Sequence, residues 1–225
     1  MTLPTGSISV MAAGRRIPEA TVSRLPVYLR ALGEAAGHMD TISSETLAHR
    51  AGVNAAQVRK DLSFLGSYGT RGVGYDVAYL VRQINRQLGL DAERQVAIVG
   101  CGNLGQALAS YGGFPARGFH VVVAFDADPA KVGVAAGDTV IQPASSMAQV
   151  LRDKEVDIAI ITTPAVAAQA VADTLVEAGV RSILNFAPTT VVVPEHVVLR
   201  QVDLAIEMQI LSFYQQHVPD ATVVG

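Results

Sequence analysis

The chain of 225 residues has a single cysteine, Cys101. No intramolecular disulfide can form, which removes the disulfide-stapled secreted classes and fits a reducing, cytoplasmic setting. No apolar run approaches the ~20 residues that a membrane-spanning helix requires. The first seventeen residues, MTLPTGSISVMAAGRRI, have neither the charged start nor the long apolar stretch of a signal peptide and read as a mobile tail. Charge is scarce: 16% of residues are charged against 50% hydrophobic, a globular balance and not a disordered one. The histidines (His38, His49, His120, His196 and His217) are scattered without metal-ligand spacing. No internal repeat is visible, so the length allows one large domain or two small ones, each with its own core.

What charge there is lies unevenly. Residues 1–88 carry ten Lys and Arg against six Asp and Glu, whereas residues 89–225 carry seven against fourteen. Only the first half is therefore expected to meet a polyanion. Its pattern agrees. A first helix is expected over about 24–36, with Ser23 as N-cap and Pro26 in the first turn. Ser43 or Ser44 caps a short second helix, Gly52 breaks it, and Asn54 with Gln57 forms a capping box for a third. Val58, Leu62 and Leu65 make the buried stripe of that third helix. Two short helices joined by a tight glycine turn form a helix-turn-helix. The outward face then carries Ala55, Ala56, Arg59, Lys60 and Ser63: small residues for close approach to a groove, and cations for phosphates or guanine edges. SYGTRGVGY (67–75) reads as a tight β-ribbon, a wing, with Arg71 near its tip. Candidate DNA contacts are Asn54, Gln57, Arg59, Lys60, Ser63, Ser67 and Arg71. A fourth helix follows, with Leu80, Ile84 and Leu88 on one face.

The acidic half opens with an apolar strand, then Gly100, Gly102 and Gly105, then a helix. This is the G-x-G-x-x-G fingerprint in its required context. Gly100 permits the turn, Gly102 lets the backbone approach a pyrophosphate, and Gly105 lets helix and strand pack closely. The helix N-terminus offers N–H groups to the phosphates. A second strand ends at Asp126, whose carboxylate suits the free hydroxyls of an adenosine ribose and would repel a 2′-phosphate, so NADH and NAD+ are favoured over their phosphorylated forms. Candidate cofactor residues are the run Gly100, Cys101, Gly102, Asn103, Leu104 and Gly105, then Asp126. Thr162, Thr163, Asn185, Phe186 and Ala187 join them as residues at the carboxyl ends of later parallel strands. Cys101 reads as a small residue filling a tight turn, since it has no cysteine partner. The expected architecture is α/β: a tail over 1–17, a winged-helix domain over 18–88, a Rossmann domain over 89–203, and a C-terminal helix and tail over 204–225.

SRLPVYLR (23–30), QVRKDLSFLGSYGTRGVGY (57–75), IVGCGNLGQALASY (98–111), FDADPAKVG (125–133), ILNFAP (183–188) and VDLAIEMQILSF (202–213) together resemble the Rex family of bacterial redox-sensing transcriptional repressors. The resemblance spans nearly the whole chain after the tail. It implies a homodimer that exchanges its C-terminal helices and binds an inverted-repeat operator in double-stranded DNA, with no membrane involvement. It also implies that NADH closes the dimer and releases DNA, whereas NAD+ competes poorly. Tyr111 matches a tyrosine that responds to the nicotinamide. Arg30 matches an arginine that pairs with an aspartate of the other subunit, here Asp203. The N-terminal tail departs from the family pattern.

Two other classes compete. A small NAD-dependent dehydrogenase would need a substrate pocket and a proton donor beside the nicotinamide; this chain has neither a second domain for substrate nor a Tyr-x-x-x-Lys pair. A Rossmann fold binding coenzyme A is disfavoured by Asp126, which argues for a nucleoside with free hydroxyls. No catalytic residue is expected.

Overall fold

The computed structural model describes residues 11–12, 15–66, 69–70 and 72–217. The chain divides into two units between Glu93 and Arg94.

The first unit opens with a hairpin of β1 (Met11–Ala12) and β2 (Arg15–Arg16). Ile17, placed in the tail on sequence, is instead buried in the core of this unit. Helix α1 runs Glu19–Ala35, five residues longer at its start than expected. Pro18 occupies the N-cap, and Ser23 donates to the Glu19 carbonyl from inside the helix. Pro26 therefore lies mid-helix and not in the first turn. Tertiary burial outweighs the local proline rule here: Thr21, in the added turn, is buried and donates to Asp61. α2 (Ser44–Ala51) and α3 (Ala55–Phe64) form the helix-turn-helix. The Ser43 hydroxyl accepts from Thr46 N–H, Gly52 takes the left-handed conformation at φ +68°, and Asn54 Oδ1 accepts from Gln57 N–H. The capping box is half made, because the Gln57 side chain donates to Asp61. The wing is short: β3 (Thr41–Ile42) pairs antiparallel with β4 (Tyr75–Asp76), and Thr70 bridges Gly74. α4 (Val77–Leu88) follows, capped by Asp76. Tyr28, Leu32, Leu47, Val58, Leu62, Leu80 and Ile84 are sealed from solvent in one core.

The second unit is a seven-stranded sheet in the order β11-β10-β9-β5-β6-β8-β7. Its strands are β5 (Arg94–Val99), β6 (Phe119–Asp126), β7 (Ala135–Ala136), β8 (Thr139–Pro143), β9 (Ile158–Ile161), β10 (Ser182–Asn185) and β11 (Val198–Gln201). All pair in parallel except β7 with β8. Helices α5 (Asn103–Ala109), α6 (Met147–Asp153) and α7 (Ala165–Glu177) connect them. The order is that of the dinucleotide-binding folds, with the reversal point between β5 and β9. Three elements, α6, β7 and β11, escape the sequence reading. VLRQ is mostly exposed and polar at its end, so it lacks the apolar run of the inner strands, as an edge strand does. The last helix, α8 (Leu204–His217), buries none of its residues against this chain.

Candidate functional site

β5 delivers the chain to Gly100 at φ +98°, a conformation that favours glycine. A Cβ there would lie 2.8 Å from the Thr162 carbonyl, at the end of the neighbouring β9. The Thr162 hydroxyl donates to the Gly100 carbonyl at 2.6 Å, with Val99 O at 3.2 Å, and so braces the turn. A Cβ at Gly105 would collide with the Gly100 carbonyl oxygen, so α5 can rest on the turn only without a side chain there. Gly102 has the opposite setting, since a Cβ would meet nothing within 4 Å. Gly102, Asn103 and Leu104 are exposed at the start of α5, where the first-turn N–H groups lack intrahelical acceptors. This arrangement can take the phosphates of a nucleotide.

Asp126 ends β6 beside that turn. Its Oδ2 accepts from Cys101 N–H at 2.7 Å and from Lys131 Nζ at 3.0 Å, and its Oδ1 accepts from Asp128 N–H at 2.9 Å. Partial burial pushes its pKa up, but the hydrogen bonds from Asp128, Lys131 and Cys101 outweigh this and hold it below the usual carboxylate range. Lys131 was missed on sequence; its signal is its place five residues after Asp126, in the turn DADPAK. Cys101 is sealed from solvent, and burial, helped by Asp126, pushes its thiol up to about 11. It fills the turn and is not poised as a thiolate.

Of the remaining candidates, Thr163 has a buried hydroxyl without a hydrogen-bond partner, an arrangement that a ligand oxygen would satisfy. Asn185 is fully buried and engaged: Nδ2 donates to Thr189 O and Gln201 Oε1, while Oδ1 accepts from Ala187 N–H. It and Ala187 therefore shape the turn after β10 and leave no free polar side-chain group at Asn185. Phe186 packs on the Val96, Ile98 and Ile160 cluster. Tyr111 is 52% exposed and meets Phe114 edge-on at 5.1 Å.

In the first unit, α3 turns Ala56, Arg59 and Lys60 outward. Arg59 is not idle: it donates to Ser44 Oγ at 2.9 Å and pairs with Glu45 at 3.0 Å. Ser63 donates to the Lys60 carbonyl. Ser67 and Arg71 lie outside the described residues. The other side of α3 holds what sequence reading missed, the buried Asp61. It accepts from Arg24 Nε and Nη2 at 2.6 and 2.8 Å, Tyr28 at 2.7 Å, and Thr21 and Gln57 at 2.9 Å each. Burial works against its charge, but these donors, Arg24 foremost, hold its pKa below the usual range. Its signal was its place three residues after Val58, on the inward stripe, with Arg24 and Tyr28 four apart on α1. Arg30 is exposed on α1, and Asp203 Oδ1 caps α8 by accepting from Ala205 N–H at 2.9 Å.

A helix-turn-helix with a short wing, in one chain with a glycine turn and a carboxylate beside it on a parallel sheet, defines the class: a nucleotide-responsive DNA-binding regulator. Comparison with known proteins agrees. Residues 16–63 match the family described as "Putative DNA-binding protein N-terminus", and residues 91–189 match the "CoA binding domain" family. The redox-sensing transcriptional repressor Rex of Streptomyces griseus is 59% identical over 203 residues, covering 90% of this chain and 80% of the relative. The crystal structure of RSP in complex with beta-NAD+ and operator DNA superposes with TM-score 0.85 at 34% identity, covering 93% of this chain and 94% of the other. That of RSP in complex with beta-NADH gives 0.79 at 34% identity, covering 88% and 93%. The chain belongs to the Rex family of redox-sensing transcriptional repressors.

Proposed function

We propose that this chain is a homodimeric, cytoplasmic repressor that binds an inverted-repeat operator and reports the balance of NADH to NAD+. The observation that carries the reading is the joining of Gly100, Gly105 and Asp126 around one turn, in a chain whose other unit presents Arg59 and Lys60 on a helix-turn-helix. The dinucleotide is held by the Gly100–Gly105 run and Asp126, with Thr162 and Thr163 beside the turn and Phe186 and Ala187 at the next strand end. Asn185 acts by fixing that strand end. DNA is contacted by the face of Asn54, Gln57, Arg59, Lys60 and Ser63, and by Ser67 and Arg71, which the sequence assigns to the wing and which lie outside the described residues. The DNA-binding domain takes in Ile17 and its boundary with the Rossmann domain falls at Glu93 and Arg94, five residues after the 88/89 limit expected from sequence, with α8 as the exchanged helix.

α8 supports the dimer. Leu204, Met208, Leu211, Phe213 and Tyr214 are each more than half exposed, an apolar surface of a kind that marks a protein–protein contact. NADH closes the dimer and releases DNA; Tyr111 answers the nicotinamide, and Arg30 pairs with Asp203 of the other subunit in one of the two arrangements. Because a ligand shifts an equilibrium only through differential affinity, the pair must exist in one arrangement and not in the other. Coenzyme A is the second reading, favoured by the family match at 91–189. Its 3′-phosphate would lie against the Asp126 carboxylate, which disfavours it. The test is a gel shift on an inverted-repeat operator titrated with NADH, then NAD+, then coenzyme A. Release by NADH alone is expected; release by coenzyme A alone, or by none of the three, overturns the reading.

A further inference from the structure

Asp126 is an internal anion seated among donors that could hold an external one. The N–H groups of Cys101 and Asp128 and the ammonium of Lys131 converge on its two oxygens at 2.7–3.0 Å. The two N–H groups belong to the backbone, and the Lys131 ammonium reaches Asp126 from the turn at 128–131. Cys101 follows the left-handed glycine. Residues 128–131 form a turn closed by Ala130 N–H to Asp128 Oδ1 at 2.9 Å and by Lys131 N–H to Asp128 O at 3.1 Å. The cluster opens to solvent: the Asp126 side chain is 11% exposed and that of Lys131 35%. Two amide N–H groups and an ammonium gathered around one small anionic group are what a phosphate needs.

We infer that Lys131 is a specificity-determining residue, and that with Cys101 N–H and Asp128 N–H it forms a latent 2′-phosphate subsite which the carboxylate of Asp126 keeps closed. The inference rests on the reading of this turn as the adenosine end of a dinucleotide site. One side chain then does two things: it accepts from the ribose hydroxyls, and it neutralises the cation that would otherwise recruit the phosphorylated cofactor. Asp128 stays nearby as a second carboxylate, so opening the subsite gives a partial gain.

The test titrates full-length wild type, Asp126→Ser, Asp126→Asn and the double variant Asp126→Ser with Lys131→Ala, each with NADH and NADPH, by calorimetry. Asp126→Ser is expected to bind NADPH about tenfold or more tighter than wild type does, as one charge-assisted contact would give. Asp126→Asn, which keeps the turn filled, is expected to show the same sign at smaller size. The double variant is expected to lose the gain. NADPH affinity unchanged in both single variants, or a gain that survives without Lys131, overturns the inference. If wild type binds NADH while the variants gain nothing, only this inference fails; if wild type binds neither dinucleotide, the site reading fails with it.

Discussion

Replacing Asp61 by alanine should cripple the DNA-binding unit while sparing the dinucleotide unit. The carboxylate accepts from Thr21, Arg24, Tyr28 and Gln57, and so ties α3, the second helix of the helix-turn-helix, to α1. Asp61→Ala deletes the acceptor and leaves the donors. Arg24, 26% exposed, can turn to water; Tyr28 and Thr21 are buried and cannot. Because Arg24 can reach water, the ~3–5 kcal/mol for stranding a buried charge is an upper limit. The stranded Tyr28 and Thr21 hydroxyls cost about 1–3 kcal/mol each, so about 2–5 kcal/mol is expected. Against a typical domain stability of about 5–15 kcal/mol, that is a large share. Urea denaturation of the full chain should show an early transition for the first unit, with operator binding lost and NADH binding retained by calorimetry. Asp61→Asn, which keeps the shape and part of the hydrogen bonding, should fall between. An Asp61→Ala variant within about 1 kcal/mol of wild type would refute the argument, because it would mean that the buried donors found water or new acceptors.

The same cluster sets a pH window. The folded pKa of Asp61 is depressed, so its contribution is present above the unfolded value near ~4 and is lost as pH falls through the folded value. The Tyr28 phenol is raised, first by burial and then by Asp61. Its contribution is present below the unfolded value near ~10 and is lost as pH rises through the folded one. The first unit should therefore weaken at both extremes, and the acid limb should flatten in Asp61→Asn.

Further outcomes follow from the two sites. Gly105→Ala forces a Cβ onto the Gly100 carbonyl oxygen; overpacking of this kind costs about 1–3 kcal/mol, and NADH binding should be lost while apo operator binding stays, as calorimetry and gel shift would show. Arg59→Ala or Lys60→Ala should weaken operator binding and, if a phosphate contact is lost, lower the salt slope by about one. Glu45→Gln removes the negative charge paired with Arg59 and should strengthen binding; weaker binding would mean that Arg59 is useful only where Glu45 holds it. Arg30→Ala and Asp203→Ala should each uncouple NADH from DNA release, with the double variant no worse than either single one; additive defects in the cycle would rule out the pair.

The parts of this molecule that were legible in sequence are those where a local rule and the tertiary structure agree. Asn54 caps α3, Gly52 turns left-handed, and Gly100 and Gly105 stand where backbone would meet a side chain. The misses occur where distant residues decide. α1 starts five residues early because Thr21 has a buried acceptor forty residues away. Asp61 stands on the inward stripe of α3, but its donors Thr21, Arg24 and Tyr28 appear only once α1 is packed against it. Lys131 reads as a solvated cation until the turn at 128–131 brings it to Asp126. Asn185 looks like a pocket residue by its place at a strand end, yet Gln201 on the unforeseen β11 takes its amide. In each case the missing information is the identity of a partner far along the chain, which periodicity and capping rules do not carry.

That distinction bears on how a sensor built this way can tell two ligands apart. The adenosine and pyrophosphate are identical in NADH and NAD+, so if the Gly100–Gly105 run and Asp126 hold them as proposed, those contacts contribute equally to both and shift no equilibrium between them. These residues are also pre-set: Thr162 already braces the turn and Asp126 is already satisfied by three donors. Pre-organisation of this kind raises affinity by lowering the ordering cost, again without discriminating. On the proposed reading the discriminating groups lie elsewhere, and the side chains not already held in place are the candidates: Tyr111, half exposed beside Phe114, the unpartnered Thr163 hydroxyl, and the apolar face of α8. Changes at the glycine turn should then scale both dinucleotide affinities by the same factor and leave their ratio untouched, whereas changes at Tyr111 or Thr163 should move the ratio. Paired NADH and NAD+ titrations of Gly102→Ala and Tyr111→Phe test this directly, and a shifted ratio in the glycine variant would show that the phosphate end takes part in the switch.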